Sequence, residues 1–176
     1  LKPIEDILGK QGYISCFGFP EETAALVEEQ GGTYGLDSCP LYADVLYIDI
    51  DDDVDAIETT RVRQIIQGLG LHYALYRSGS SDSYQFYIPI IPQVMVGLPS
   101  LHLLWIKQIM GKDARVDFSI YKTSGIIKIA GASHKMHPGA FKELIDEVAG
   151  DNLDLTDFSV KYEPMIARAI KSLLVI

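Results

Sequence analysis

Residues 45–53 read Val45-Leu46-Tyr47-Ile48-Asp49-Ile50-Asp51-Asp52-Asp53, an apolar run that ends in carboxylates. Side chains along a strand alternate between its two faces, so Tyr47, Asp49 and Asp51 would share one face. The apolar residues between them would face a core on the other side: Leu46, Ile48 and Ile50. Two carboxylates on one rigid face repel each other and are costly to desolvate, and a divalent cation relieves both costs. The run therefore predicts a buried strand with a metal site at its end.

The acids that follow have simpler explanations. Asp residues suit turns and helix N-caps, and this accounts for Asp52, Asp53 and Asp55. A calcium-binding loop starting at Asp49 would need glycine at its sixth position and glutamate at its twelfth. The chain has Val54 and Thr60 there. A calcium loop is therefore excluded.

The bulk composition indicates one ordinary domain. The chain has 176 residues, of which 48% are hydrophobic, enough to bury a core. It begins at Leu1 rather than at methionine, which predicts a fragment of a longer polypeptide. No apolar run is long enough to span a membrane, and no signal-peptide pattern opens the chain. Cys16 and Cys39 lack the paired spacing of a zinc site, so a reducing cytoplasm is the expected location.

The formal net charge of -9 argues by itself against nucleic acid, whose phosphates favour basic partners. The charge is unevenly distributed, however. Residues 1–60 hold 14 acidic residues against two basic ones, whereas residues 107–142 hold seven basic residues against two acidic ones. Such segregation can place a basic surface beside an acidic metal pocket, and a randomly mottled solvated surface is the alternative.

Hydrophobic periodicity predicts the order of the elements. Strands are expected over residues 13–18, 44–51, 72–77, 84–90, 116–120 and 125–131, and helices over 21–30, 55–69, 101–110, 139–149 and 164–174. In the strand over 116–120, apolar residues alternate with polar ones and would leave Asp117 on the polar face. A Ser-Gly-rich turn at 78–83 would join two strands as an antiparallel hairpin. The mixture predicts an α+β domain with a mostly antiparallel sheet flanked by helices.

Three features follow one another along the chain. They are the Asp49-Ile50-Asp51 pair, the Ser78-Gly79-Ser80 turn, and residues 125–135 with the sequence GIIKIAGASHK. In this order they resemble the archaeo-eukaryotic primase superfamily, the primase-polymerases of archaea, eukaryotes, plasmids and phages. That family has Asp-x-Asp or Asp-x-Glu after an apolar strand, a Ser-Gly-rich turn with a Ser-x-His type motif, a third acid, and a loop similar to R-x-P-G-S-x-H-x-K. The resemblance covers residues 44–138 and rests on the joint spacing rather than on one motif.

The resemblance implies roles for individual residues and a fold like the family's RRM-like catalytic core. Asp49, Asp51 and Asp117 would be the catalytic carboxylates and the ligands of Mg²⁺ or Mn²⁺. The residues that would meet the incoming nucleotide are Ser78, Gly79, Ser80, Gln85, Lys128, Ser133, His134 and Lys135. The chain departs from the family at Gln85, where a nucleotide-contacting histidine is expected. Glutamine can donate a hydrogen bond but carries no charge, so either phosphate binding is weaker or another cation substitutes.

The function that the resemblance implies is that of a DNA primase or primase-polymerase. Such an enzyme is a metal-dependent nucleotidyltransferase that makes primers in phage, plasmid or mobile-element replication. Its partners would be a single-stranded DNA template and nucleoside triphosphates, with a replicative helicase as a further candidate, and no membrane. Two cations can stabilise the attacking and leaving oxygens of an in-line displacement, and three carboxylates suit that task.

Two other functions stay open. One is a primase-like module whose site has decayed and that only binds nucleotide or template, which Gln85 favours. The other, less favoured, is a metal-dependent nuclease. The site residues have structural explanations as well. Asp117 could pair with Arg115 or Lys122 as an exposed strand residue, and residues 78–83 could form only a turn.

Overall fold

The computed structural model of the chain describes residues 13–30, 39–79, 82–111, 115–122, 125–129, 131 and 139–156. In these ranges it has the following elements: β1 (Tyr13–Ser15), α1 (Glu21–Gln30), β2 (Leu41–Ile50), α2 (Ile57–Gly68), β3 (Tyr73–Ser78), β4 (Tyr84–Met95), α3 (Leu98–Met110), a short 3-10 helix (Phe118–Ile120), β5 (Ile126–Lys128) and β6 (Lys142–Val148). The predicted α+β architecture with antiparallel sheets and flanking helices is confirmed. Within these ranges no helix is long and apolar enough to cross a membrane.

The larger sheet has four antiparallel strands in the order β2-β4-β3-β6. The hairpin predicted around residues 78–83 joins β3 to β4, and both of its strands pair as expected. A second sheet pairs β1 with β5 in antiparallel register, with Ile14 opposite Ile127. Strand β5 therefore returns to pair with β1, the first strand of the described residues. Segments that are distant in the sequence thus lie beside the larger sheet.

The core lies on one face of the larger sheet. The alternation in β2 is as predicted, because Leu46, Ile48 and Ile50 are all fully buried. Helices α2 and α3 cover this face with apolar side chains. The most deeply buried of these side chains include Val62, Ile66, Trp105 and Ile106. Burying such side chains stabilises the fold by about 1.5–3 kcal/mol each, which makes this the main stabilising layer.

The opposite face of the sheet carries polar and aromatic side chains. In β2 and β4, Asp49 lies opposite Gln85 and Tyr47 lies opposite Tyr87. The rings of Tyr47 and Tyr87 meet edge to face with centroids 4.7 Å apart. The smaller sheet packs against this face, since the Tyr87 hydroxyl donates a 2.8 Å hydrogen bond to the main-chain oxygen of Lys128. A partly enclosed polar layer therefore lies between the two sheets.

Two predicted elements are wrong. Of the strand expected over residues 116–120, only Val116 pairs, with Ile50, and a 3-10 helix follows. The Asp117 carboxylate accepts from the Ser119 main-chain N–H at 2.7 Å, which turns the chain out of the extended conformation. The helix expected over 139–149 is strand β6, which pairs with the edge of β3. Here pairing with an open sheet edge overrides the local helix preference.

Other boundaries moved without a change of element. Strand β4 continues to Met95, five residues beyond the predicted end. Helix α3 starts at Leu98 because Pro99 suits the first turn, where a missing N–H costs nothing. The helix predicted over 164–174 lies outside the described residues.

Candidate functional site

Asp49 is the penultimate residue of β2 and lies half-buried on the polar face of the sheet. Its carboxylate oxygen Oδ1 accepts a 3.0 Å hydrogen bond from Nε2 of Gln85, directly across the β2–β4 pair. Gln85 is only 4% exposed, and its Oε1 has no hydrogen-bond partner in the described part of the chain. The amide that sequence analysis assigned to nucleotide phosphate is therefore engaged with a carboxylate.

The acidic residues after β2 separate into two groups. Asp51 is exposed just past the strand, and Asp52 turns the backbone with a φ of 55°. Asp53 is buried and caps helix α2, because its carboxylate accepts from the main-chain N–H of Glu58 and Thr59 at 3.1 and 2.7 Å. Asp53 therefore has the capping role expected from its residue type. Asp51, by contrast, acts on Asp49 through its negative charge.

Asp117 reaches the site along the free edge of β2. Its main-chain N–H donates a 2.8 Å hydrogen bond to the carbonyl oxygen of Asp49. The Tyr121 hydroxyl likewise donates to the carbonyl oxygen of Tyr47 at 2.6 Å. Residues 116–121 thus cover the β2 edge without forming a full strand. The Asp117 side chain accepts from both the N–H and the hydroxyl of Ser119, at 2.7 and 2.8 Å.

The three carboxylates act on one another electrostatically. The pKa of Asp49 is raised to about 6, mainly by burial and in addition by the negative charges of Asp51 and Asp117. The hydrogen bond from Gln85 and the charge of Lys142 oppose this rise. The ionised form of Asp49 is therefore disfavoured, and a bound cation would relieve that cost.

The described residues include no group of three or more His, Cys, Asp or Glu side chains placed to hold a metal ion together. Asp117 in particular is turned toward Ser119. Mg²⁺ is commonly bound through one or two carboxylates and completed by water and substrate phosphates. Asp49 and Asp51 fit that smaller donor set, while both oxygens of Asp117 already accept hydrogen bonds from Ser119.

Two buried lysines lie on the same side of the sheet as Asp49. Lys128 is 5% exposed and Lys142 is 3% exposed. The Lys142 ammonium donates to the Tyr87 hydroxyl and to the main-chain oxygen of Lys128. It also lies over the rings of Tyr87 and Tyr76, at 4.2 and 5.1 Å from their centroids. Burial lowers the pKa of Lys142 to about 7, with the Asp49 charge opposing and the Lys128 charge assisting that shift.

The turn after β3 borders these lysines. Ser78 is buried and pairs with Lys142 across β3 and β6. Its main-chain N–H bonds to the Ser83 carbonyl at 2.8 Å, and Gly79 has a φ of 71°. Both residues close the turn, as their composition favours. Ser80, Ser133, His134 and Lys135, assigned to nucleotide contact, lie outside the described residues.

Lys142 and Tyr87 also belong to this polar layer, although the sequence did not predict them there. Lys142 fell in a segment interpreted as a helix, where a lysine at its start indicates nothing. The signal that could have found them is the pairing of β6 with β3, since a lysine opposite Ser78 must enter the face that carries Asp49.

Comparisons with known proteins give one fold-level result. No protein-family model matches the chain, and no curated protein matches it. Among solved structures, it is similar to the AEP domain of the primase-polymerase from cyanophage S-2L, with a TM-score of 0.47 and 14% sequence identity. The match covers 90% of this chain and 88% of the phage domain.

Proposed function

We propose that this domain is a metal-dependent nucleotidyltransferase that synthesises primers on a single-stranded DNA template. The observation that carries the proposal is the presence of acidic and basic side chains on one sheet face. The charge of Asp49 interacts with those of Asp51 and Asp117 and with those of two buried lysines, Lys128 and Lys142. Carboxylates suit a cation, and ammonium groups suit the triphosphate that this cation would accompany.

Each group then has a defined task. When bound at Asp49 and Asp51, Mg²⁺ or Mn²⁺ supplies charge stabilisation for an in-line displacement at phosphorus. Gln85 fixes the orientation of Asp49 through its 3.0 Å hydrogen bond. Lys128 and Lys142 offset the negative charge of the triphosphate. The smaller sheet covers part of the face and restricts water, which strengthens these interactions.

A second candidate is a module that binds nucleotide or template without making product. The hydrogen bond between Gln85 and Asp49 favours it, because a neutral side chain stands where a cation would assist phosphate binding. Both candidate functions use the same residues, but only the enzyme requires the carboxylates for catalysis. Product formation is therefore the measurement that distinguishes them.

The test is primer synthesis by the parent protein and by the double variant Asp49→Ala, Asp51→Ala. Each is incubated with single-stranded DNA, labelled nucleotides and Mn²⁺ or Mg²⁺. We expect product only with the parent, while both proteins bind the template with a salt-dependent affinity. The matched control is Asp44→Ala with Asp55→Ala, which removes the same charge from exposed positions.

Circular dichroism and thermal melting show whether each variant is folded. A parent that binds template and nucleotide but makes no product under either metal would support the binding module instead. If the double variant still forms product, the protein is not a binding module, and Asp49 and Asp51 are not its catalytic carboxylates.

A further inference from the structure

Lys142 is a buried lysine that makes no ion pair in the described part of the chain. Among the described residues, the four ion pairs involve Arg61, Arg63, His72 and Arg77, and neither Lys142 nor Lys128. The Lys142 ammonium instead contacts a hydroxyl, a carbonyl oxygen and two aromatic faces. A buried ammonium without a counter-ion costs stability. Its retention at 3% exposure needs an explanation other than packing.

The contacts of Lys142 connect three parts of the site. Its side chain binds the main-chain oxygen of Lys128 and so fixes β5 against the larger sheet. Its own carbonyl oxygen accepts a 3.1 Å hydrogen bond from the N–H of Gly131, three residues after Lys128. Tyr87, which lies opposite Tyr47 in β2, bonds both to Lys142 and to the Lys128 oxygen. One side chain therefore determines where the Lys128 strand stands relative to Asp49.

The position of Gln85 supplies the second observation. One N–H of its Nε2 is used by Asp49 and its Oε1 is a buried acceptor, so Gln85 can offer a phosphate no more than one uncharged N–H. The charge of Lys142 acts on Asp49 and on Lys128 from the same face. Lys142 can therefore supply the positive charge that the uncharged Gln85 does not provide.

We infer that Lys142 is the positioning residue of the anion-binding half of this site, holding Lys128 in place and supplying the positive charge that Gln85 lacks. The ligand class is a polyphosphate, as carried by a nucleoside triphosphate. The inference rests on the proposed function. It deepens that function by assigning polyphosphate affinity to a residue of β6 that does not itself touch the carboxylates.

The test measures binding of sodium tripolyphosphate with Mg²⁺ by calorimetry, which requires no product. Lys142→Met keeps the length of the side chain and removes its charge. We expect it to weaken binding at least tenfold and, where primers are made, to raise KM for nucleotide with kcat changed by less than threefold. Lys142→Gln, which can still donate to the Lys128 oxygen, is the second neutral variant and carries the test if the Met variant does not melt cooperatively.

Two further variants separate charge from structure. Arg77→Met removes one positive charge from the neighbouring end of β3, where Arg77 is paired with Glu143 at 2.7 Å, and should leave binding within twofold. Tyr87→Phe removes the hydroxyl that bonds to Lys142 but keeps the ammonium. It should lower the melting temperature but reduce tripolyphosphate affinity much less than the neutral Lys142 variants do. A merely structural Lys142 would give the neutral Lys142 variants and Tyr87→Phe the same pattern, namely reduced stability with unchanged binding.

The outcomes distinguish this inference from the proposed function. A parent that makes primers but binds tripolyphosphate no better than Lys142→Met or Lys142→Gln overturns the inference and leaves the proposed function standing. A parent that makes no product but shows the tenfold difference retains the assignment of Lys142 and rejects the polymerase. A parent that binds no tripolyphosphate rejects the inference.

Discussion

Gln85 and Asp49 face each other across β2 and β4, with Nε2 and Oδ1 3.0 Å apart. The amide therefore orients the acid that is most perturbed by its surroundings, since burial raises the pKa of Asp49 to about 6. A histidine at this position could give the same hydrogen bond and, when protonated, a positive charge as well. The residue at position 85 thus determines whether the hydrogen-bond donor to Asp49 is neutral or charged.

Gln85→His should strengthen tripolyphosphate binding at pH 6 and have little effect at pH 8. The gain should be about tenfold, because one hydrogen bond to a charged group contributes about 1.5 kcal/mol. Calorimetry at the two pH values measures it. Gln85→Leu, which fills similar space without a donor, is the control and should give no gain at either pH. An equal gain for the histidine variant at pH 8 would show that charge is not the cause.

Asp49→Asn should stabilise the metal-free protein at neutral pH. The folded-state pKa of Asp49 is raised from 3.8 to about 6, so the folded protein binds this proton more tightly than the unfolded chain does. Stability from this group is therefore lost as pH rises from about 4 to 6 and stays lost above that. Asparagine has no charge to lose, and we expect a gain of about 1–2 kcal/mol at pH 8, discounted for the partial exposure of the side chain.

Urea unfolding at pH 4 and pH 8 with a chelator present measures this difference. Asp44→Asn is the control on the same strand, because Asp44 is exposed and should change little at either pH. A gain for Asp49→Asn of equal size at pH 4 would contradict the electrostatic explanation.

The sequence predicted the element that carries the site better than it predicted the site's surroundings. In β2 the strict alternation of Leu46, Ile48 and Ile50 with polar residues fixes both the core face and the side on which Asp49 lies. Such alternation is local information. Helix α1 was likewise predicted with the bounds that the structure has, Glu21–Gln30.

What failed depends on partners distant in the chain. Asp117 lies beside Asp49 through one main-chain hydrogen bond and is followed by a 3-10 helix, whereas the alternating pattern predicted a strand. The side chain of Asp117 bonds to Ser119, two residues ahead, and this overrides the alternating pattern. Lys142 is buried only because β6 pairs with β3, and no periodicity within residues 139–149 indicates that pairing.

Gly125→Ala should destabilise the junction between the 3-10 helix and β5. A Cβ built at Gly125 would lie 1.9 Å from the carbonyl oxygen of Ile120, which is backbone and cannot move independently. The Gly125 carbonyl also accepts from the Cys16 N–H at 2.8 Å, so displacement would disturb the approach to β1. We expect a loss of about 1–3 kcal/mol, as in other cases of overpacking.

Chemical unfolding of Gly125→Ala beside Gly68→Ala measures that loss. A Cβ at Gly68 would meet nothing within 4 Å, and Gly68 is the last residue of α2. Alanine there should be neutral or stabilising by about 0.5–1 kcal/mol, because it favours the helix and restricts the unfolded chain. Equal stability of the two variants would show that the backbone at Ile120 or Gly125 can move to accommodate the Cβ.

Asp117→Asn distinguishes a metal ligand from a turn residue. Asparagine and aspartate cap helical turns about equally well, so the amide oxygen can still accept from the Ser119 N–H. The fold should therefore be kept, with a change in stability of less than about 0.5 kcal/mol. The variant loses the negative charge that a metal ligand supplies to the cation. Changing a residue that only supports a metal ligand costs up to about 100-fold in activity, so loss of a ligand itself should lower primer synthesis by at least about 100-fold.

The matched control is Asp154→Asn, because Asp154 makes the same local motif. Its carboxylate accepts from the N–H and the hydroxyl of Thr156 at 2.8 and 2.7 Å, as Asp117 does from Ser119. Both changes remove one charge and leave one cap, but only Asp117 acts on Asp49. Primer assays and melting curves for the two variants should therefore agree in stability and differ in activity. If Asp117→Asn makes primers as well as Asp154→Asn does, then Asp117 is a turn residue and the site works with Asp49 and Asp51 alone.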